Sequence, residues 1–298
     1  MKVSVLMPSF NYAKYLPQSI ESVLSQTHAD LELIITDDCS TDSSREIAES
    51  WSRRDNRVVP VFHRVNGGLA VARNSGLAVA AGDFVALCDA DDIWLPHKLE
   101  IQLQRFENKQ QVGLVHSDSI IIDSDSKPTG RRFSQLIHKK NQRTSGQLFE
   151  ELCERNFLCV PTVVFRREAL DFAGGFDSSL RSLEDWVCFT KISRKFDFDY
   201  VEEPLAQYRI HSASLSRNPE GMARNRILAL QLMLRTFPDI HPRLKSRMLY
   251  TLGCNYLDMR DWRQALEAFS SSVRMDIVQV RSWVRCCESL IRLAVTRN

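Results

Sequence analysis

The stretch F-V-A-L-C-D-A-D-D, from Phe84 to Asp92, joins a short apolar run to a turn that carries three aspartates. Five consecutive apolar residues bounded by turn residues are typical of a strand buried in a sheet. Similar apolar runs occur at 3–7, 31–36 and 58–62, and patterns with helical spacing lie between them. This alternation predicts an α/β fold with a mostly parallel sheet flanked by helices. In such sheets ligands bind outside the carboxyl ends of the strands.

The pattern changes near the last quarter of the chain. Everything after Pro219 reads as helix, with no strand candidate. We therefore predict an α/β domain at residues 1–218 and an all-helical extension at residues 219–298, with a boundary near Ser216 to Pro219. The segment from Ser124 to Ser145 is polar and basic and lacks clear periodicity, which predicts a long, mobile loop.

Composition narrows the functional classes. The 298 residues are 44% hydrophobic and 26% charged, which predicts globular domains with a real core. A formal net charge of +2 argues against a nucleic-acid-binding protein. The eight cysteines follow no metal-binding spacing, and the chain starts directly with a strand pattern, so we expect a cytoplasmic protein. No apolar run approaches the ~18 residues that a transmembrane helix needs.

The acids that follow the strand at 84–88 are candidate metal ligands. In an extended backbone, residues two apart share a face, so Asp89 and Asp91 would crowd two negative charges. A cation would relieve that repulsion, and carboxylate oxygens suit Mn²⁺ or Mg²⁺, which complete their shell with substrate phosphate. The alternative is ordinary turn chemistry, in which aspartate is common.

A second acidic turn follows the strand at 31–36. Helix capping explains the end of that turn, because Ser40 or Thr41 can cap the next helix and Asp42 suits its positive end. Capping leaves Asp37 and Asp38 unexplained. We expect Asp38 to bind a ligand by accepting hydrogen bonds from a base N–H or from ribose hydroxyls.

Taken together, these stretches resemble the family 2 inverting glycosyltransferases, which have the GT-A fold with Rossmann-like nucleotide-sugar binding. The resemblance covers roughly Val3 to Ser216. Its pieces, in chain order, are S-V-L-M-P-S-F-N-Y-A-K-Y-L at 4–16, S-V-L-S-Q-T at 22–27, D-D-C-S-T-D at 37–42, N-G-G-L-A-V-A-R-N-S-G at 66–76, D-A-D-D-I-W-L-P at 89–96, G-G-F-D at 174–177, E-D-W at 184–186 and Y-R-I-H at 208–211. The family usually has glycine where Cys39 stands.

The resemblance implies a site for a nucleotide-sugar donor, which in this family is most often a uridine diphosphate sugar. The implied donor-binding residues are Pro8, Ser9, Phe10, Asp38, Arg73, Asp89 and Glu184. The first three would line the nucleobase pocket, and Asp89 with Asp91 resembles the family's D-x-D motif. Two alternatives stay open: Phe10 could be a core residue, and Arg73 could be a solvated helix residue.

The resemblance also implies a metal and a catalytic base. Asp91 would be the direct ligand of Mn²⁺ or Mg²⁺, and His211 would lie near the diphosphate, as a metal ligand or paired with phosphate. Asp185 resembles the catalytic base. The alternatives are a structural role for His211 and a capping box in which Ser182 and Asp185 close the start of a helix.

These roles predict an inverting glycosyltransferase that moves one sugar to an acceptor hydroxyl of a glycan, a polysaccharide, a glycoprotein or a lipid-linked acceptor. Neither the Q-x-x-R-W motif nor the transmembrane helices of processive synthases is found. A catalytically inactive nucleotide-sugar-binding scaffold is the main alternative. A nucleotidyltransferase is a weaker one, since Pro8 to Asn11 stand where its Gly-rich phosphate loop would follow the first strand.

The helical tail carries two further patterns. Leu252 to Val273 resembles a single tetratricopeptide hairpin, which would pack on another surface because one repeat is not stable alone. The last helix, predicted at Val278 to Val295, combines Trp283, Leu290, Ile291 and Leu293 with three arginines. It is either a packed amphipathic helix with solvated arginines or a helix that docks on an anionic membrane surface or a protein partner. The second reading predicts a peripheral location at the inner face of the membrane.

Overall fold

The computed structural model describes residues 1–212, 214 and 218–295. The chain divides into two compact units. The first contains residues 1–149 and 157–211, and the second contains residues 150–156 and 212–298. Positions 216 and 217 of the predicted linker lie outside the described residues, and the domain boundary at residue 218 stays a prediction.

The first unit is built on a nine-stranded sheet. Its strands are β1 (Val3–Ser9), β2 (Leu31–Asp37), β3 (Val58–Phe62), β4 (Phe84–Leu87), β5 (Ile93–Trp94), β6 (Val112–Ile122), β7 (Pro128–Arg132), β8 (Val164–Arg166) and β9 (Asp197–Arg209). The strand order is β3-β2-β1-β4-β8-β6-β9-β5, with β7 beside β6. Its helices are α1 (Leu16–Leu24), α2 (Ser44–Arg54), α3 (Leu69–Val79), α4 (Lys98–Gln104), α5 (Phe133–Ile137), α7 (Arg167–Ala173) and α8 (Glu184–Ile192), with a short 3₁₀ turn at Val160–Thr162.

The first four strands are parallel, as the alternating pattern predicts. β1 lies between β2 and β4, and β2 also pairs with β3. β1 and β2 are buried along their whole length, which accounts for their continuous apolar runs. Because these strands run in one direction, their carboxyl ends meet at one edge of the sheet. That edge collects the turns that follow Ser9, Asp37 and Leu87.

The second half of the sheet is mixed. β8 lies antiparallel between β4 and β6, and β5 pairs antiparallel with β9. The long strands β6 and β9 run parallel to each other, with register shifts near Asp118. The α/β class is therefore confirmed, and the parallel arrangement holds for the first four strands.

The prediction of a loop from Ser124 to Ser145 is wrong for the middle of that segment. The structure has strand β7 and helix α5 there. The carboxylate of Asp118, on β6, accepts hydrogen bonds from the backbone N–H of Ser134 (3.0 Å) and from its hydroxyl (2.6 Å), so it holds the start of α5. All five residues of β7 are exposed, so this strand has no apolar periodicity that could have predicted it.

The second unit is helical over its described residues. Its helices are α6 (Phe149–Glu154), α9 (Pro219–Thr236), α10 (Pro242–Asp258), α11 (Trp262–Met275) and α12 (Val280–Val295). The first residue of α6, Phe149, belongs to the first unit. The predicted hairpin is present as α10 and α11. Its two helices pack closely at Gly253, where an added Cβ would lie 2.5 Å from the Phe269 ring. Within the part of the chain that the structure describes, no helix is long and apolar enough to cross a membrane.

The ammonium group of Lys98 is buried in the first unit beside neutral side chains. Lys98, at the start of α4, is 0% exposed; its ammonium donates to the Gln102 amide oxygen (2.7 Å) and lies 4.1 Å from the centre of the Trp94 ring. Burial lowers the pKa of Lys98 to about 7. An unfolded chain would hold that proton up to a pH near 10. Between these values the unfolded state binds more protons, so this residue makes stability rise with pH.

We predict that Lys98→Met abolishes this dependence. The free energy of unfolding of the wild type, minus that of the variant, should rise between pH 7 and pH 10 by at most about 1.4 kcal/mol per pH unit. Urea unfolding followed by tryptophan fluorescence measures the difference. Lys127→Met, at an exposed position, is the matched control and should show no such trend. A pH-independent difference for Lys98→Met would contradict the lowered pKa.

Candidate active site

The end of β1 supplies the residues predicted for the nucleobase pocket. Pro8 and Ser9 are buried, whereas Phe10 is 43% exposed at the edge of the sheet, so the alternative that Phe10 is a core residue is wrong. Ser9 faces Asp37 in the β1–β2 register. The Ser9 hydroxyl and Oδ1 of Asp37 are both buried without a hydrogen-bond partner. Unpaired buried polar atoms are costly, so a ligand that binds them would gain free energy.

The carboxylate of Asp38 accepts hydrogen bonds from three groups of the protein. Its Oδ1 accepts hydrogen bonds from His63 Nδ1 (2.7 Å) and from the N–H of Gly67 (2.8 Å), and its Oδ2 accepts one from the N–H of Gly68 (2.7 Å). Gly68 is the N-cap of α3 and has φ +86°, a conformation that favours glycine. The carboxylate of Asp38 therefore caps α3 from across the turn, at the positive end of the helix. The sequence did not reveal His63. Its other ring nitrogen, Nε2, makes a hydrogen bond with the Ser75 hydroxyl (2.9 Å).

The acidic turn after β2 is held by its own polar side chains. Asp42 accepts hydrogen bonds from the N–H of Ser44 (2.9 Å), the first residue of α2, and from the N–H of Ala13 (3.0 Å). The N-cap of α2 is Ser43, whose side chain makes no capping bond, so the prediction that Ser40 or Thr41 caps this helix is wrong. The Ser40 hydroxyl accepts instead from the N–H of Asn11 (2.9 Å). Cys39 adopts a left-handed conformation with φ +65°, which favours glycine. The turn thus keeps a glycine-like geometry without glycine.

Arg73 lies at the centre of the site. Its side chain is 1% exposed, which excludes a solvated helix residue. One guanidinium nitrogen donates to Glu184 and another to Asp89 (2.8 Å), and the group lies 5.6 Å from the centre of the Phe176 ring. Burial alone would lower the pKa of Arg73, but the charges of Asp89, Glu184 and Asp185 raise it above its usual value. Arg73 therefore stays charged and joins α3 to the turn after β4 and to the start of α8.

The D-A-D-D turn places Asp91 against His211. The carboxylate Oδ2 of Asp91 lies 2.9 Å from Nε2 of His211, and both side chains are buried. The Tyr15 ring lies 5.1 Å from the imidazole, centre to centre. Burial, and then the charge of Asp89, raises the pKa of Asp91, although His211 lowers it in part. The structure therefore brings together the two residues predicted to hold a metal.

The neighbouring Asp92 adds to the negative charge. Its Oδ1 accepts from the backbone N–H of Arg209 (2.8 Å), while its Oδ2 is buried without a partner. Burial, followed by the charges of Asp91 and Asp89, raises the pKa of Asp92 well above its usual value. The Arg209 guanidinium donates to the Asp91 carbonyl (2.6 Å) and to the Gln18 side chain (3.0 Å), so it fixes this turn. No local pattern in the sequence predicts this role of Arg209.

These residues fit a divalent cation that shares its coordination with substrate. Asp91 and His211 offer one carboxylate and one imidazole, and three crowded carboxylates favour a cation nearby. Within the described ranges, no three His, Cys, Asp or Glu side chains form a ready-made metal site. Two protein ligands suit Mn²⁺ or Mg²⁺ when a diphosphate supplies further oxygen ligands.

The start of α8 carries the predicted base. Asp185 is 6% exposed, and burial raises its pKa, although Arg73 lowers it in part. Glu184 beside it is 0% exposed, and burial together with the charge of Asp185 raises its pKa to about 7 against the opposing effect of Arg73. The capping-box alternative is wrong, because the N-cap residue is Leu183, in a left-handed conformation with φ +65°, and the Ser182 hydroxyl has no partner.

Comparison with known proteins identifies the class. The model of glycosyl transferase family 2 matches residues 4–173, and the chain belongs to this family. An uncharacterized glycosyltransferase of Nostoc sp. is 35% identical over 220 residues, which are 72% of this chain and 66% of that protein. TuaG of Bacillus subtilis, named as a teichuronic acid biosynthesis glycosyltransferase, is 32% identical over 72% of this chain and 82% of its own length.

Solved structures show the same fold. TarS 1-349 of S. aureus, in complex with UDP-GlcNAc, superimposes with a TM-score of 0.69 at 19% identity, over 97% of this chain and 89% of that one. The mannosyltransferase PcManGT of Pyrobaculum calidifontis, in complex with GDP-Man and Mn²⁺, gives a TM-score of 0.62 at 18% identity, over 98% and 86% of the two chains. The predicted family and GT-A fold are therefore confirmed.

We predict that Cys39→Gly stabilises the first unit by about 1 kcal/mol, because glycine adopts the left-handed conformation without the steric cost of a Cβ. Urea unfolding measures the change. Cys39→Ala keeps the Cβ and loses the thiol, which makes one weak contact with the Arg64 carbonyl (3.5 Å), so it should leave stability nearly unchanged. Equal effects of the two substitutions would show that backbone strain at this turn is not the cause.

Proposed function

We propose that this chain is an inverting, non-processive, metal-dependent glycosyltransferase, which transfers one sugar from a nucleoside diphosphate sugar to an acceptor hydroxyl. The observation that carries the proposal is the link made by Arg73. This single guanidinium binds Asp89, two residues before Asp91, and Glu184, next to Asp185. The metal-binding turn and the catalytic helix are thereby held in one network.

The donor end of the site has the chemistry to bind a nucleotide. Ser9 and Asp37 each present a buried oxygen atom without a partner, and Phe10 offers an exposed ring beside them. The aspartate can accept from a base N–H or a ribose hydroxyl, and the ring can stack on a base. The nucleotides named for the structural neighbours, UDP-GlcNAc and GDP-Man, support a nucleotide-sugar donor, and we propose a uridine diphosphate sugar.

The leaving group needs charge compensation. Asp91 and His211 would hold the cation, which when bound stabilises the negative charge that develops on the departing diphosphate. Asp89 is turned toward Arg73 by its 2.8 Å hydrogen bond, so Asp91 is the aspartate of the D-x-D pair that remains for the metal. Arg209 holds the turn through the Asp91 carbonyl and so limits its movement.

The acceptor needs a base. Asp185 would take the proton of the acceptor hydroxyl as that oxygen attacks the anomeric carbon of the sugar and the bond to the diphosphate breaks. A raised pKa makes a carboxylate a stronger proton acceptor, and the charge of Arg73 keeps it from rising further. Because attack comes from the face opposite the leaving group, one displacement inverts the anomeric carbon and no covalent sugar intermediate forms.

The proposal extends to the acceptor and to the cellular location. The similarity to TuaG, named for teichuronic acid biosynthesis, supports a polysaccharide acceptor. All eight cysteines lie within the described residues and are free, which fits the predicted cytoplasmic location.

The donor site is tested by calorimetric titration with UDP, GDP and their sugar derivatives, with and without Mn²⁺. We predict that one nucleotide binds in a metal-dependent manner and that Asp91→Asn weakens this binding about 10- to 100-fold, because a metal ligand is lost. Asp83→Asn, at an exposed position before β4, is the matched control and should bind as the wild type does. Binding that does not depend on Mn²⁺ would exclude Asp91 as a metal ligand.

The base is tested by Asp185→Asn. We predict that transfer falls by about 10²- to 10⁴-fold while donor affinity stays within about twofold, because the substitution removes the proton acceptor. Since the pKa of Asp185 is raised, kcat/KM of the wild type should fall with decreasing pH already above the ordinary range of an aspartate. Asp171→Asn, on an exposed face of α7, is the control. Full transfer by Asp185→Asn would remove the assignment.

A further inference from the structure

Helix α12 packs on the second unit through its small polar side chains. Ser282 and Ser289 are both 0% exposed, and the Ser282 hydroxyl lies 2.8 Å from that of Ser272 on α11. The Ser272 hydroxyl donates in turn to the Ser246 carbonyl on α10 (2.8 Å). A row of buried serines therefore joins α10, α11 and α12. This packing uses no large apolar side chain of the first three turns of α12.

Four large apolar side chains in the described part of α12 are exposed to solvent instead. Val280 is 66% exposed, Trp283 48%, Val284 62% and Leu290 54%, and Cys287 is also exposed. These positions recur every three or four residues, so they form one stripe along the helix. The preceding Ile277 and Val278 are 75% and 70% exposed and extend the apolar surface at its start. We call this set the α12 stripe.

Helix α12 packs on α11, but its packed face does not include Trp283 or Leu290, and about half of each of these side chains is exposed. Ile291 and Leu293 lie outside the side chains that the structure describes. A contiguous exposed apolar surface of this kind marks an interaction site.

The charge of the second unit indicates which kind of partner could bind the α12 stripe. The second unit, residues 150–156 and 212–298, contains 15 Lys and Arg and ten Asp and Glu, a net charge of +5, whereas the first unit carries −3. Arg281 is exposed at the edge of the stripe, one helical turn from Arg285. A second copy of this unit would bring two positive surfaces together, which opposes self-association through the stripe. An anionic surface is the complementary partner.

We propose that the α12 stripe docks on an anionic lipid bilayer. A helix that lies in the membrane interface combines an apolar face with flanking basic residues, and anionic headgroups attract each of those residues. Trp283 suits that depth, since its indole N–H already donates to the Ile277 carbonyl (3.0 Å) and its ring enters the apolar region without an unpaired donor. This docking does not depend on the proposed transfer reaction.

Sedimentation of the full chain with vesicles tests the proposal. We expect binding to vesicles of phosphatidylglycerol and phosphatidylethanolamine at about 0.1 M salt, and at least tenfold weaker binding to phosphatidylcholine vesicles or at about 0.5 M salt. Trp283→Ser combined with Val284→Ser should reduce binding at least tenfold, and Arg281→Glu should reduce it less. Both sites are exposed, so circular dichroism should be unchanged.

The matched control combines Val65→Ser with Val79→Ser, which removes two valines of the first unit that are 76% and 50% exposed. It should bind vesicles as the wild type does. Equal binding by the Trp283 and Val284 variant, or no binding to anionic vesicles, overturns the proposal. Analytical ultracentrifugation tests whether a second copy of the chain binds the stripe instead. A wild-type dimer that dissociates in the Trp283 and Val284 variant, without vesicle binding, would assign the stripe to self-association.

Discussion

The buried guanidinium of Arg73 is the interaction on which the site depends. Three segments that are distant in sequence, namely α3, the turn after β4 and the start of α8, meet at this one group. A buried ion pair adds little to stability by itself, because desolvation offsets much of the attraction. Its effect here is positional: any other arrangement of these segments would leave a buried charge without its partner, and that is strongly unfavourable.

The same region contains several residues in unfavourable backbone conformations. Asn11, Cys39 and Leu183 all have positive φ without being glycine, and each lies in a turn that borders the site. Such residues persist only where surrounding contacts fix them. Side-chain bonds supply those contacts: Asn11 accepts from the N–H of Thr41 (2.8 Å), and Asp37 accepts from the N–H of Ser40 (3.1 Å). The chain therefore carries unfavourable backbone conformations in the turns that position the donor and acceptor groups of the site.

The sequence predicted the parts of this protein that are local or periodic. Buried strands such as β2 produce continuous apolar runs, and their acidic turns stand out, so the fold class and the importance of residues 89–92 could be derived. The antiparallel strand β8 could not, because three residues give no periodic signal.

Family resemblance supplied Asp185 and His211. It did not reveal His63 or Arg209, whose bonds reach across 25 and 118 residues. Asp38 shows the remaining difficulty, since a carboxylate after a strand can bind a ligand or cap a helix, and only its partners distinguish the two.

One feature of the chain path constrains how the protein is made. The second unit includes residues 150–156, which interrupt the first unit, and Arg247 pairs with Glu150 (2.7 Å) and Glu154 (2.8 Å). On the ribosome this short segment emerges about a hundred residues before its partner does. The helical unit therefore cannot be completed from one continuous stretch, and a cut of the chain between residues 211 and 247 would place these acids and their arginine on separate pieces. Exchange of the helical tail between relatives would therefore also require a matching change at residues 150–156, in the middle of the chain.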